Sequence, residues 1–227
     1  MPNYTWNRIK ADKDVISGLL DENGDFTFEK FIPCPEELTL TTAGGRVDEL
    51  VCLYILENFK YKDIKENPAK YFNGFANYYV DLNKTKKANI AKLKEILNGK
   101  TVDVITDGWG PDAKVLREVT GEEYFNLQQK YGFHNWYDYH NEKWGTKWDA
   151  FEVGIGNDEI AFTTAWAAPF PIFEKICAMF PKKEIEFEAE YEDNYFIAGA
   201  NYYGKFNITE EHEMEYEDEE DEEEIYT

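Results

Sequence analysis

The sequence predicts an α+β protein in which strands and helices are segregated along the chain. Apolar and polar residues alternate at both ends, whereas the middle has the three-to-four-residue spacing of amphipathic helices. Apolar residues make up 43% of the chain and aromatic residues 17%, so a core large enough to offset the entropy of ordering can form.

The amino-terminal region predicts a strand, a helix and a second extended segment. Residues 4–9 alternate with the period of a strand. Asp12 is a predicted N-cap for a helix over residues 15–20, whose apolar side chains share one face. An Asn-Gly pair at residues 23–24 predicts a turn, and the segment FTFEKFIP after it predicts an extended piece that ends at Pro33.

The middle of the chain predicts helices. Apolar stripes run over residues 47–55 and 90–97, and Gly99 follows the second stripe as helix-ending glycines do. A further helix is predicted to begin at Pro111 and to end at Gly121, with its apolar positions at Val115, Leu116 and Val119. A last helix is predicted over residues 136–143.

Beyond residue 148 the period returns to two. Residues 151–155 and 160–166 alternate on either side of an Asn-Asp pair, which predicts a hairpin. A helix bounded by prolines follows. In EIEFEAEY, residues 184–191, apolar residues and glutamates alternate, which predicts a strand with one dry face and one acidic face. A final strand is predicted over residues 195–206, with Gly199 as a bulge.

The order strand, helix, insertion, strand, strand, helix, strand is the split βαββαβ pattern of ferredoxin-like folds. We therefore predict an antiparallel ferredoxin-like sheet built from residues 1–40 and 146–208, with one strand added at its end. Residues 41–145 are predicted to form a mainly helical insertion, and residues 209–227 a disordered acidic tail.

The formal net charge of −22 is concentrated near the carboxyl terminus. Residues 210–224 hold twelve acidic residues and no Lys or Arg, while residues 1–209 hold 34 acidic and 24 basic residues. Direct binding of nucleic acid is disfavoured, because most of that affinity comes from basic contacts with phosphate. The same charge favours a basic protein partner.

No residue pattern predicts a catalytic, cofactor or metal site. Residues 21–25 fit the first positions of a calcium loop, but the glycine and the glutamate that the loop requires are absent. His134, Asp138 and His140 do not share one helical face, which argues against zinc. Cys34 lies between two prolines without an evident activating neighbour, so packing is favoured over nucleophilic catalysis.

The spacing of the cysteines and the lengths of the apolar segments indicate the cellular compartment of the protein. Three isolated cysteines predict reduced thiols. No run of eighteen apolar residues occurs, and the first residues lack a secretory pattern, so we expect a cytosolic protein that does not bind membranes.

Five segments resemble the YubB-type ferredoxin-like proteins of phages and plasmids, also known as Api-type phage proteins. They are MPNYTWNR, FTFEKFIPCPEEL, WGTKWDA, FTTAWAAPFP and EAEYEDNYFIAG. WGTKWDA followed by TAW-x-x-P is the most specific feature. The family pattern usually has methionine where Cys34 stands, which also favours packing. The resemblance implies a ferredoxin-like core, a mobile-element origin and a bacterial cytosol, and it carries over no active-site residues.

We therefore predict a non-enzymatic accessory protein, without cofactor or metal, that binds a basic host or anti-phage defence protein, for example to inhibit a nucleic-acid-binding enzyme. The predicted partner-binding residues are acidic and are Glu184, Glu186, Glu188, Glu190, Glu217, Asp218, Glu219, Glu220 and Asp221. Two alternatives stay open. One is a nucleotide- or RNA-binding sensor or enzyme with a site between the sheet and the insertion, and the other is a structural role in a virion.

Overall fold

The chain divides into two units. The computed structural model describes residues 3–42, 46–72, 76–107 and 112–214. Met1–Pro33 and His140–Thr227 form one unit, here called the sheet unit, and Cys34–Tyr139 form the other, called the insert unit. The insert unit begins and ends a few residues before the predicted insertion, residues 41–145.

Strands and helices are numbered in chain order. The strands are β1 (Tyr4–Ala11), β2 (Val102–Thr106), β3 (Val115–Thr120), β4 (Phe151–Ile155), β5 (Glu159–Ala165), β6 (Ile185–Tyr191), β7 (Tyr195–Tyr202) and β8 (Lys205–Glu213). The α-helices are α1 (Lys13–Leu19), α2 (Glu36–Thr39), α3 (Val47–Asn58), α4 (Tyr61–Glu66), α5 (Ala76–Tyr79), α6 (Lys86–Leu97), α7 (Gly121–Tyr131), α8 (Trp136–Lys143) and α9 (Phe170–Met179). In the described part of the chain, none of these helices has the length and apolar character needed to cross a membrane.

The sheet unit has a ferredoxin-like core, as predicted. Its six strands have the order β4-β5-β1-β6-β7-β8, and every neighbouring pair is antiparallel. The strands β1, β4, β5 and β6, with helices α1 and α9, give the βαββαβ order. The hairpin of β7 and β8 extends the sheet beyond β6, so two strands are added where the sequence predicted one.

One face of this sheet, here called the inner face, packs against α1 and α9. Ile9, Phe162 and Phe187 on this face are at most 3% exposed. The ring of Phe173 from α9 lies 4.6 Å from that of Phe187. Helix α1 reaches the same layer, since Gly18 lies against the ring of Phe180 at the end of α9. The inner face therefore carries the hydrophobic core of the sheet unit.

Several predicted elements of the sheet unit are confirmed. The hairpin of β4 and β5, the proline-bounded helix α9 and the alternating strand β6 all form. The register between β7 and β8 shifts between Ala198 and Gly199, but the extra residue is Thr209, so the bulge lies in β8 opposite Gly199 and not in the strand of Gly199 as predicted. A side chain at Gly199 would collide with the ring of Phe206, so the close approach of β8 requires glycine there.

Three other predictions in the sheet unit are wrong. FTFEKFIP is not extended, because Thr27 caps a 3-10 turn over Phe28–Lys30. The last strand is not continuous over residues 195–206, because residues 203–204 form a turn with positive φ at both positions. Residues 209–213 belong to β8 and not to a tail. The remainder of the predicted tail, residues 215–227, lies outside the described residues.

The insert unit is mainly helical, as predicted, and has its own core. Helix α3 supplies the centre, with Val51, Ile55 and Leu56 fully buried. Helix α7 begins at Gly121, where any side chain would collide with the backbone of Leu50 in α3. Glycine at this position therefore allows α3 and α7 to pack closely.

The helix predicted from Pro111 to Gly121 is wrong. Residues 115–120 form strand β3, which pairs with β2 in a two-stranded antiparallel sheet, and Pro111 lies outside the described residues. Gly121 begins a helix and does not end one. Thr120 and Glu123 form a capping box at the start of α7, so the helical region starts where the prediction ended it.

Candidate partner-binding face

The face opposite the inner face, here called the outer face, carries the predicted glutamates of β6. In β6, Ile185, Phe187 and Ala189 are each 1% exposed, so the residues between them must point to the outer face. Glu186 and Glu190 are exposed and Glu188 is partly exposed. Glu184 is exposed but lies before β6 begins. The other predicted residues, Glu217, Asp218, Glu219, Glu220 and Asp221, lie outside the described residues.

A row of mostly aromatic residues crosses the outer face at right angles to the strands. Each of the six strands contributes one residue, and neighbours in the row are cross-strand partners. We call this set the aromatic row, and in spatial order it is Phe151, Thr163, Trp6, Glu190, Phe196 and His212. Trp6 is 47% exposed, so its indole is available for contact. Glu190 is therefore the only carboxylate of this row and lies between two aromatic residues.

The neighbouring row is charged and partly neutralised. It runs through Ala161, Arg8, Glu188, Ala198 and Glu210. Arg8 lies 3.3 Å from Glu188 and 3.8 Å from Glu159. Lys10 also donates to Glu188, at 2.8 Å. Glu188 therefore faces two cations. Its carboxylate is less available to a basic partner than those of Glu186 and Glu190 on the same strand.

A shallow depression lies over these two rows. Its volume is about 360 Å³, and Trp6, Arg8, Thr163, Glu190 and Phe196 are among the residues that line it. Ala161, a small residue of the charged row, is part of the lining and leaves room between the larger side chains. Glu152 and Glu188 are further carboxylates of the lining, and Glu152 accepts a hydrogen bond from the Thr163 hydroxyl at 3.2 Å.

The net charge of the outer face is negative. Six carboxylates oppose three basic side chains, Arg8, Lys10 and Lys205, among the strand residues that the structure describes there. The carboxylates belong to Glu152, Glu159, Glu186, Glu188, Glu190 and Glu210. Such a face repels phosphate and attracts basic groups.

A second aromatic cluster adjoins the aromatic row. The Lys147 ammonium lies 4.7 Å from the ring centroid of Trp148 and 5.0 Å from that of Trp166. The ring centroids of Trp148 and Phe151 lie 6.4 Å apart, and those of Phe151 and Tyr4 lie 5.7 Å apart. Trp148 and Trp166 are 38% and 42% exposed, so this cluster presents aromatic surface together with one positive charge.

The calcium-like segment is a backbone turn. The Asp21 carboxylate accepts from the backbone N–H groups of Asn23 and Asp25 at 2.8 and 2.9 Å. These hydrogen bonds, that from Asp25 above all, lower the pKa of Asp21. Within the described residues, no group of three or more His, Cys, Asp or Glu side chains is placed to hold a metal ion.

The histidines considered for zinc are placed in different units. In the insert unit, Nε2 of His134 lies 3.2 Å from Asp48 and 3.6 Å from Asp138. In the sheet unit, Nδ1 of His140 lies 3.0 Å from the Lys147 carbonyl oxygen and the ring stacks on Trp144 at 3.6 Å. Burial lowers the pKa of His140, which favours the neutral ring.

The sulfur of Cys34 is not presented to solvent. Cys34 is 8% exposed, and its thiol lies 3.9 Å from the carbonyl oxygen of Pro35. This burial agrees with the packing role that the sequence favoured.

Sequence reasoning missed most of the outer-face residues outside β6. Trp6 and Arg8 were part of the predicted first strand, but Thr163, Phe196 and His212 were not connected to Glu190. Alternation of residues within a strand could have indicated which of them share a face. What was lacking was the register, which aligns residues more than 180 positions apart, such as Trp6 and Glu190.

Comparisons with known proteins find one family and one solved structure. Residues 133–227 match a family model described as the ferredoxin-like domain in Api92-like protein. A crystal structure of the protein api92 from Yersinia pseudotuberculosis aligns with 95% of this chain and 99% of its own, at 9% identity and a TM-score of 0.38. That score is too low to support an argument. No curated protein matches the chain significantly.

Proposed function

We propose that this protein binds a basic protein partner through the outer face and catalyses no reaction. The observation that carries the proposal is the combination, on one sheet face, of unbalanced carboxylates with the exposed Trp6 ring and the partly exposed rings of Phe151 and Phe196. The few residues that carry most of the binding energy at protein interfaces are enriched in Trp, Tyr and Arg, and complementary charge steers association.

The size of the face indicates the strength of binding. Six strands spaced by about 4.8 Å span about 24 Å, and seven residues at about 3.3 Å extend about 23 Å. The resulting area of roughly 550 Å² is smaller than the roughly 800 Å² per partner of a standard interface. We therefore propose a salt-sensitive complex of moderate affinity if this face is the whole contact.

The resemblance to YubB-type proteins makes the proposal more specific. It adds a mobile-element origin, a bacterial cytosol and a host or anti-phage defence protein as the partner. A nucleic-acid-binding enzyme is a fitting partner class, because its basic groove complements a negative face. Inhibition would follow if the protein occupied that groove.

Charge reversal on the outer face tests the proposal. We expect tagged wild-type protein to capture a basic partner from host lysate and the double variant E186K/E190K to lose it. The matched control is E22K/E95K, which changes net charge equally at two exposed glutamates outside the outer face. Capture should also weaken from 50 to 300 mM salt. Equal capture by both double variants would overturn the proposal.

A second candidate function is binding of single-stranded nucleic acid. It is favoured by the exposed rings of Trp148 and Trp166 with Lys147 between them, since bases stack on such rings. Fluorescence anisotropy with a labelled oligonucleotide tests it. Binding that disappears in W148A/W166A but persists in E186K/E190K would support this candidate, and no binding at 50 mM salt would exclude it.

A further inference from the structure

We propose that the outer face recognises arginine side chains, holding a guanidinium between Trp6 and Phe196 against the carboxylate of Glu190. This inference rests on the proposed function, because it names the chemical group of the basic partner that the face binds. We call the three residues the arginine clamp.

The register of the sheet places the clamp residues in line. Trp6 on β1 and Phe196 on β7 are the cross-strand partners of Glu190 on β6, one on each side. All three line the depression of about 360 Å³. Strands two apart are separated by about 9.6 Å, which exceeds the roughly 7 Å needed to stack a planar group between two rings. One guanidinium can therefore enter between them.

The Glu190 carboxylate and the Trp6 indole are available for a ligand, and Phe196 is partly exposed, with its ring centroid 5.3 Å from that of His212. Among the described residues, no ion pair or hydrogen bond involves the Glu190 carboxylate, and no ring or cation contact involves the Trp6 indole. Glu188, two residues earlier on the same strand, differs because Arg8 and Lys10 neutralise it. The negative charge that a partner meets in the depression is therefore concentrated on Glu190 and Glu152.

The chemistry of the clamp favours arginine over lysine. A guanidinium is planar, stacks on aromatic rings and can donate two parallel hydrogen bonds to one carboxylate. A lysine ammonium is more strongly hydrated and offers no flat surface to stack. The protein already holds one guanidinium on this face, since that of Arg8 in the neighbouring row forms ion pairs with Glu188 and Glu159.

Peptides that differ only in their basic residue test the inference. Fluorescein-labelled hexa-arginine, hexa-lysine and hexa-citrulline peptides are titrated with the full chain at 150 mM salt, and anisotropy is measured. We expect the arginine peptide to bind at least ten-fold tighter than the lysine peptide, and the uncharged citrulline peptide to bind weakest. Equal affinity for the arginine and lysine peptides would overturn the inference.

Variants assign the preference to the clamp. In W6L and F196L, we expect the ratio of lysine-peptide to arginine-peptide Kd to fall toward one, while lysine-peptide binding changes less than three-fold. In E190Q, both peptides should bind more weakly. The matched control is Y78L, which removes an aromatic ring that is 81% exposed in the insert unit. An arginine preference that survives in both W6L and F196L would contradict the clamp.

The two proposals fail in different ways. If both peptides bind equally and E186K/E190K abolishes partner capture, the acidic face stands as the partner site and the arginine clamp is wrong. If the arginine preference depends on Trp6 and Phe196 but no partner depends on Glu186 and Glu190, the clamp stands and the proposed function is wrong. Circular dichroism of each variant confirms that it is folded.

Discussion

The inner and outer faces of the six-stranded sheet are made by the same strands but obey different constraints. On β1, Ile9 is fully buried on the inner face, whereas its neighbours Arg8 and Lys10 form ion pairs on the outer face. A slip of one residue would exchange the two sets, so burial of the inner face fixes the register. The outer face inherits that register, and its residues can serve recognition without determining the fold.

The largest effect is expected from the inner face. Phe187 is 1% exposed, and its ring centroid lies 4.6 Å from that of Phe173 and 5.4 Å from that of Phe206. Replacing it by alanine leaves a cavity, so we expect F187A to lose about 3–5 kcal/mol of unfolding free energy. Urea unfolding measures this. The paired variant F196A, on the outer face, should lose less than half as much, and equal losses would refute the distinction between the faces.

Gly199, which lies opposite the bulge in β8, should show the next largest effect. A methyl group at Gly199 meets the Phe206 ring, so we expect G199A to lose about 1–3 kcal/mol of unfolding free energy. In G199A/F206L the smaller leucine should relieve part of the collision. A double-mutant cycle from urea unfolding would then give a favourable coupling, and simple additivity would argue against this contact.

Charge reversal on the outer face should leave stability nearly unchanged. Glu186 and Glu190 are exposed, so E186K/E190K should shift unfolding free energy by no more than about 0.5 kcal/mol per site. The same variant is expected to lose partner capture. A large loss of stability would show that these glutamates are structural and would undermine their use as a binding test.

Removing the positive charge of Arg8 should have the opposite effect on binding, because it makes the outer face more negative. Its ion pairs with Glu188 and Glu159 are partly exposed, so R8Q should lose at most about 1 kcal/mol of unfolding free energy, and less at high salt. Because R8Q removes a cation from the face, we expect hexa-lysine to bind more tightly to it than to wild type in anisotropy titrations. Weaker binding would mean that Arg8 itself contacts the ligand.

Thiol reactivity reports on the layer behind the inner face. Cys177 on α9 is fully buried, and burial raises its pKa to about 12. At pH 8 roughly one molecule in ten thousand would carry the thiolate, which is the reactive form. We expect mass spectrometry to show no alkylation of Cys177 by iodoacetamide in native protein and full alkylation in urea. Rapid native labelling would show that α9 detaches from the sheet.

Elements with strong periodicity could be predicted from the sequence, and β6 and α9 are the clearest cases. Strand β3 could not, because only Val119 of its residues is buried and its alternation is therefore weak. The Thr-x-x-Glu signature at Thr120 and Glu123 was a readable sign that a helix begins there and does not end.

The residues of the outer face were also predictable only in part, but the reason differs from that for strand β3. The glutamates of β6 follow from local alternation, whereas the neutralisation of Glu188 by Arg8 depends on pairing between strands 180 residues apart. No local pattern specifies which strands become neighbours. The distinction between Glu188 and Glu190, on which the arginine clamp depends, therefore needed the structure.

The central position of β1 has a consequence for synthesis. Its two neighbours, β5 and β6, begin at Glu159 and Ile185, so roughly 150 residues or more are translated before β1 can pair. At about 5–20 residues per second this delay is on the order of 10 to 30 seconds. The whole insert unit emerges from the ribosome in that interval and has a core of its own. The six-stranded sheet therefore assembles late in synthesis. Of its strands, β1 spends the longest time after translation with no strand paired to either of its hydrogen-bonding edges.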